Sequence, residues 1–315
     1  MALVTIGLVT WNSASDVARC LDGIRAQRHR SIELLVGDNA STDATRAILE
    51  SRTTPAERRD FPTNLGFSAA HNALIRASRG AYYVTLNPDV VLDPGFVDTL
   101  VAALEAAPRA GSATGKLRRS EPAGVLDSTG IVMHRSQRHF DRGAGAVDRG
   151  QYDTPGPVFG VSGAAGFYRR AMLDDVAIAG EVFDEDFFAY REDADLAWRA
   201  QLLGWDAIYV PDATATHVRR VTPERRGALP AAINRYSVRN RFLLRLKNQT
   251  AGQAARFAIA GLARDVQVVG YVLAREWSSM PGLVDVVRLL PRTLAKRRTI
   301  MARRDRRRSL DAWFT

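Results

Sequence analysis

Three carboxylates crowd the start of one apolar helical run: Glu192, Asp193 and Asp195 in FAYREDADLAWRAQLLGW, residues 188–205. Two chemistries fit such a cluster. Carboxylates at a helix N-terminus are stabilised there, each by roughly 0.3–1 kcal/mol, and a carboxylate within reach of a substrate hydroxyl acts as a general base. Helical spacing separates the candidates. Leu196, Ala200 and Leu203 recur at intervals of four and three and define an inward face. Asp193 precedes Leu196 by three and shares that face, whereas Asp195 falls off it and is expected to serve as a cap. A second polar set stands where strands should end: Thr10 and Asn12 in TWN, Asp38 and Asn39 in DNAS, Asn87 and Asp89 in NPD. Carboxylates and amides so placed suit the binding of a base and ribose, with a metal holding phosphates. Mg²⁺ needs only one or two protein carboxylates when phosphate oxygens and water complete its shell. The plainer readings are a turn for NPD, and helix or turn capping for Asp38 and Asn39.

The elements that must position these residues alternate. LVTIGLVTW reads as a strand, ASDVARCLDGIRAQ as an amphipathic helix, IELLVGDNAS as a strand and STDATRAILESR as a helix. AAHNALIRASRG is a helix ended by Gly80, AYYVTLNPDV a strand, and DPGFVDTLVAALEAAP a helix. This order predicts an α/β fold, a mostly parallel sheet flanked by helices. Ligands of such sheets bind beyond the carboxyl ends of the strands. Residues 118–160, rich in Gly, Arg and Asp, should form loops or short strands near the site. Neither G-x-G-x-x-G nor G-x-x-x-x-G-K-[ST] occurs, which disfavours dinucleotide and P-loop folds.

Hydrophobic residues make up 46% of the 315, enough for a sizeable core. The single cysteine, Cys20, lies on an apolar helical stripe and excludes a disulfide framework. Charge is divided unevenly. Residues 1–218 hold 22 basic and 28 acidic side chains, a net −6, and residues 219–315 hold 22 and 6, a net +16. Two regions are expected: a catalytic body over 1–220 and a basic amphipathic helical region over 221–315. The basic region suits an anionic membrane surface or a homodimer interface; without a helix-turn-helix, RNP or zinc motif, no nucleic-acid partner is expected. No run of 18 uncharged apolar residues predicts a membrane span, and the N-terminus lacks the features of a signal peptide.

VTWN, LLVGDNASTDAT, NLGFSAAHNALIRASRGAYYVTLNPDVVLDPGF, GAAGFYRRAML, FFAYREDADLAWRAQLLGWDAIYVPDATATH and RNRFLLRLKN follow one another over about residues 3–247. In that order they resemble a family 2 glycosyltransferase of GT-A fold, most closely its rhamnosyltransferase-like branch. The resemblance implies Asp193 as the catalytic base, with Glu192 orienting it or binding acceptor. Asp89 matches the last acid of the family's D-x-D motif, and Asn87 stands in place of the first, so one negative charge is lost. His217, ending PDATATH, matches a metal-coordinating histidine. Asp38 resembles the residue that bonds the N3–H of uracil or thymine. Thr10, Asn12, Asn39, Asn72 and the N-x-G loop of Asn64, Gly66 and Phe67 are assigned to the nucleotide as well. Gly163 and Ala164 resemble the acceptor-side loop, and Arg199 is assigned to the diphosphate or to an acid of the motif.

The implied reaction is inverting and dependent on a divalent cation, Mg²⁺ or Mn²⁺. It moves L-rhamnose from dTDP-β-L-rhamnose to a polyprenyl-diphosphate-linked sugar in cell-wall or surface polysaccharide synthesis, at the cytoplasmic face of the membrane. Another UDP- or dTDP-sugar is the alternative donor. A nucleotidyltransferase is the enzymatic rival, and an inactive transferase-fold membrane adaptor the non-enzymatic one.

Overall fold

In the computed structural model, which describes residues 1–219 and 230–315, the alternating pattern becomes a single large sheet with helices on both faces. The strands are β1 (Val4–Thr10), β2 (Ile32–Asp38), β3 (Arg58–Asp60), β4 (Tyr82–Leu86), β5 (Val90–Leu92), β6 (Ala110–Arg119), β7 (Leu126–Ser128), β8 (Ile131–Met133), β9 (His139–Asp141), β10 (Gly156–Val158), β11 (Phe167–Arg169) and β12 (Asp206–His217). The body's helices are α1 (Val17–Arg25), α2 (Thr45–Arg52), α3 (Gly66–Ala77), α4 (Phe96–Ala106), α5 (Arg170–Val176) and α6 (Glu192–Leu202). Four more follow: α7 (Ala231–Asn248), α8 (Ala251–Arg256), α9 (Ala258–Arg275) and α10 (Met280–Arg303).

The main sheet runs β10-β12-β6-β11-β4-β1-β2-β3. β1 pairs in parallel with both β2 and β4, β2 with β3, and β6 with β12. β11 is antiparallel to β4 and β6. The two-residue period of a strand sorts the core. Tyr82, Val84 and Leu86 of β4 join Ile6, Leu8, Cys20, Phe96 and Leu100 on one face, whereas Tyr83 joins Leu74, Met172, Leu196 and Ala200 on the other. Burial pushes the Cys20 thiol far up, so it behaves as a small core hydrophobe. Helix α3 ends at Ala77, three residues before Gly80.

The boundary expected at 220–221 lies outside the described residues. On its far side the basic helices do not stand apart from the body. Leu243, Leu244, Phe257, Ile300, Leu310 and Phe314 share one apolar cluster with Phe159, Phe187, Ala194 and Trp198. Ion pairs cross the same junction. Lys296 Nζ lies 2.5 Å from Asp184 Oδ1 and 3.0 Å from Asp186 Oδ2, Arg303 is 2.7 Å from Asp175, and Arg308 is 2.6 Å from Asp206. Part of the basic charge is therefore paired with acids of the body. What stays open is an apolar stripe along α9 and beyond, with Ile259, Leu262, Val266, Leu273 and Trp277 exposed at helical spacing. Among the described residues no helix is long and apolar enough to cross a membrane.

Candidate active site

A cavity of about 850 Å³ opens where the carboxyl end of β4, the 162–164 loop, the start of α6 and the helices α7 and α9 meet. That volume is within the range that holds a small-molecule ligand. Asn87, Asp89, Gly163, Ala164, Glu192, Asp193, His217 and Phe67 all line it.

Asp193 Oδ2 accepts from the backbone N–H of Gly163 at 3.0 Å, and Oδ1 from Ala194 N–H at 2.7 Å. A Cβ at Gly163 would press on Phe67 at 3.3 Å and make an ordinary contact with Asp193 Cβ at 3.4 Å. Burial raises the Asp193 pKa; the two N–H donors oppose it, and the charge of Asp141 adds to it. Glu192 is more extreme. Its carboxyl is buried, one oxygen has no hydrogen-bond partner, and burial followed by the Asp193 charge holds it protonated well above the ordinary carboxylate range. The neighbouring acids thus divide: burial and the Asp193 charge push Glu192 further up, while the Gly163 and Ala194 amides hold Asp193 down, so Asp193 is the acid that ionises first.

The loop leading into this pair is strained. Phe188 (φ 64, ψ −65), Tyr190 (φ 70) and Arg191 (φ 73) are all left-handed, and none is glycine. Such residues cost about 1–3 kcal/mol each and persist only where their surroundings impose them. Here α7 imposes them. Asn240 Nδ2 donates to the carbonyls of Phe187 (2.9 Å), Ala189 (2.8 Å) and Tyr190 (2.8 Å), and Arg239 adds a bond to Phe187 O. On the other side Ser68 N–H donates to Phe188 O, a contact that Gly66 allows because a Cβ would lie 2.5 Å from that oxygen.

Asp89 and His217 meet across the β5–β12 junction, Nε2 to Oδ1 3.3 Å. The other ring nitrogen, Nδ1, lies 2.7 Å from Asp127 Oδ2, and Arg219 bridges Asp127 (3.1 Å) to Asp141 (2.7 Å). Burial would lower the His217 pKa, but hydrogen bonds to Asp127 and Asp89 raise it to about 9. A carboxylate behind the imidazole is the usual support of a metal-binding histidine. The donor set fits a divalent cation: one carboxylate oxygen and one imidazole nitrogen face the cavity, and a cation would take the place of the imidazolium proton. Among the described residues no group of three or more potential ligands forms, so a ligand's phosphate oxygens and water would complete the shell.

The remaining assigned residues fall into two groups. Thr10, Asn12, Asp38, Asn39, Asn64 and Gly66 gather at the sheet's carboxyl edge beside Phe67. Asp38 is 1% exposed and accepts from Thr10 Oγ1 (2.9 Å), Ser41 Oγ (2.6 Å) and Ser41 N–H (3.0 Å). Asn12 accepts from Thr42 N–H, Asn39 bridges Leu65 N–H and Gly66 O, and Asn64 accepts from Gly66 N–H. Their side-chain bonds organise the rim itself, and only Phe67 of this set lines the cavity.

Two residues are corrected outright, and for Arg199 the second of its two alternatives holds. Arg199 is not at the cavity: it is 1% exposed, pairs with an acid of the motif, Asp195, at 3.0 Å and donates to Val176 O and Val182 O. Asn72 is a structural clamp, exchanging bonds with the Phe183 backbone and donating to Glu185. Asp195 is no solvent cap. It is fully buried, between Arg199, Lys247 at 2.8 Å and Asn248 at 2.7 Å, because α7 covers the face of α6 that periodicity alone leaves to water. Asp127, Asp141 and Arg219 at the cavity, and Asn240 behind it, are functional candidates that the sequence reading did not assign.

An acid pair, an Asp–His pair and a polar rim thus stand at the carboxyl edge of a mostly parallel sheet, where α/β folds bind their ligands. The family model for "Glycosyl transferase family 2" matches residues 5–176, more than half of the chain, and the chain belongs to that family. It is a glycosyltransferase. Among curated relatives, N-acetylglucosaminyl-diphospho-decaprenol L-rhamnosyltransferase of Mycobacterium tuberculosis is 29% identical over 237 residues, 66% of this chain and 74% of that protein. Two solved structures share the fold. GalNAc-T7 with UDP, GalNAc and Mn²⁺ has a TM-score of 0.62 at 12% identity, over 78% of this chain and 48% of the other, so the chain spans about half of that protein. S. aureus TarS 1-349 with UDP-GlcNAc has a TM-score of 0.60 at 16% identity, covering 96% of this chain and 88% of the other.

Proposed function

We propose that the chain is an inverting, metal-dependent glycosyltransferase that moves L-rhamnose from dTDP-β-L-rhamnose to a polyprenyl-diphosphate-linked sugar. The observation that carries the inverting chemistry is geometric: Asp193, at the cavity wall, is held by the Gly163 and Ala194 amides beside the buried Glu192 carboxyl. Asp193 accepts the proton of the acceptor hydroxyl as that oxygen attacks the anomeric carbon from the side opposite the nucleoside diphosphate. Glu192, uncharged, spares the site a second negative charge. Asp89 and His217 would hold the divalent cation, which when bound neutralises charge on the departing diphosphate. The rim of Thr10, Asn12, Asp38, Asn39 and Asn64 frames the side of the base and ribose.

The acceptor class and the sugar rest on the activity of the mycobacterial relative. The exposed apolar stripe of α9 and the exposed Arg275, Arg288 and Arg298 nearby in sequence support attachment to an anionic membrane surface at the cytoplasmic side. The decisive experiment is a donor panel: the protein with Mn²⁺ and dTDP-rhamnose, UDP-GlcNAc, UDP-galactose or UDP-glucose, read by thermal shift and by release of nucleoside diphosphate. A shift and slow hydrolysis selective for dTDP-rhamnose are expected. Selectivity for a UDP-sugar would replace the donor, and no response to any nucleotide sugar would defeat the reading. Flotation with vesicles containing phosphatidylglycerol should be lost on neutral vesicles; equal recovery on both would remove the electrostatic attachment.

A further inference from the structure

The wall of the cavity built by α7, α9 and the approach to β9 differs in chemistry from the part around Asp89 and Asp193. Arg138, Arg241 and Arg264 line it, and one carboxylate of α7 and α9 stands beside them. That carboxylate, Asp265, is shared: it lies 3.3 Å from Arg241 and also pairs with Arg245. Arg241 is 6% exposed, and its Nε–H is buried without a hydrogen-bond partner. The Nε–H of Arg264 is buried and unpartnered too. His139, in the same wall and 3.1 Å from Arg191, is kept neutral by burial and by Arg191, Arg138 and Arg219. Arg241 and Arg264 therefore each bring to the wall a buried donor that no protein acceptor takes. Between the guanidiniums stand Ile233, Val238, Val268 and Val272.

Helix α9 adds direction. Arg264, Val268 and Tyr271 face the cavity, and Ile259, Leu262 and Val266 are exposed on the opposite side of the same helix. A ligand with an anionic head would meet the arginines while its apolar part lies along the valines of α7 and α9.

We infer that this wall is a second anion subsite, separate from the place of the donor's diphosphate, which takes a diphosphate ester bearing an apolar chain through Arg138, Arg241 and Arg264. The assignment rests on the acceptor class proposed above and names the residues that would hold it. Guanidinium forks suit phosphate oxygens geometrically, and the buried setting strengthens each bond.

The test is calorimetric titration of the intact chain with geranyl diphosphate in metal-free buffer, against inorganic pyrophosphate and, separately, dTDP with Mn²⁺. Geranyl diphosphate should bind at least tenfold more tightly than pyrophosphate. Arg264→Gln should weaken geranyl diphosphate at least tenfold, and Arg138→Gln severalfold, with dTDP–Mn²⁺ binding unchanged in both. Asp89→Ala should show the reverse pattern. Unchanged affinity for geranyl diphosphate in both arginine variants would overturn the subsite. Parallel loss of dTDP binding would assign the arginines to the donor instead, and equal affinity for pyrophosphate would remove the apolar component. Failure of the transferase reading itself would appear elsewhere, as no response to any nucleotide sugar in the wild-type protein.

Discussion

Glu192 and Asp193 share a peptide bond, and burial makes two adjacent charges costly, so the partners of each decide which one ionises. Gly163 and Ala164 precede a strand that feeds the sheet centre, and the Gly163 amide is thereby fixed toward Asp193. The raised pKa of Asp193 sets the sign of a pH effect. A base works when deprotonated, so kcat/KM should fall as pH drops through a value above the ordinary aspartate value of 3.8. Asp141→Asn removes a like charge that contributes to the rise, so the acidic limb should move to lower pH; a limb that stays in place or moves up would contradict the assignment. The sequence already indicated Asp193, through helical spacing and the motif around it. It did not indicate Asp127 or Arg219, because they come from a short strand and a strand end in a region of weak periodicity. They reach the site only through the pairing of β7 with β6 and of β6 with β12.

At the scale of elements, α7 does for the active site what the local sequence of 187–191 cannot. Three left-handed residues in four would relax if left in solvent, and Asn240 holds their carbonyls from behind. Asn240→Asp keeps the shape and removes the donor, placing a carboxylate against three carbonyl oxygens. Its kcat should fall by about 10–100-fold, the scale of a misplacement near 1 Å, while affinity for dTDP–Mn²⁺ stays close to wild type. Equal loss of nucleotide affinity would show a general collapse rather than a displaced base. The same helix explains why Asp195 is buried rather than a cap in solvent. Periodicity locates the face that packs on the sheet, but it carries no information about a distant helix that covers the other side, so α6 reads as amphipathic and is in fact buried nearly all round. Strand and helix order in the first 106 residues is legible because the longer elements there each carry their own strand or helix period between polar breaks.

For the molecule as a whole, the division into an acidic body and a basic tail is a division of charge that the fold brings together. Lys247 is buried with Asp184 and Asp195, and Lys296 with Asp184 and Asp186. Burial would raise the Asp184 pKa, yet the two ammonium groups hold it well below the ordinary range. The folded value is depressed, so the stabilisation is complete above the unfolded value near 3.8 and is lost as pH falls below it. Lys247→Ala leaves two buried carboxylates short of a partner and should cost about 3–5 kcal/mol at pH 7, read by urea denaturation. The gap from wild type should narrow as pH falls through about 4; a gap that widens would put the stabilisation elsewhere. Composition revealed the charge asymmetry but not its use, since the acids that receive these lysines lie more than 50 residues away in sequence.

The central claim is that one carboxylate, Asp193, takes the acceptor's proton. Single-turnover transfer from the donor chosen by the panel, with Asp193→Asn beside wild type and nucleotide binding measured on the same samples, tests it most directly. The asparagine keeps the shape and loses the base. Transfer should fall by roughly 10²–10⁴-fold with dTDP–Mn²⁺ affinity within a few-fold of wild type. Transfer at the wild-type rate in that variant would contradict the account.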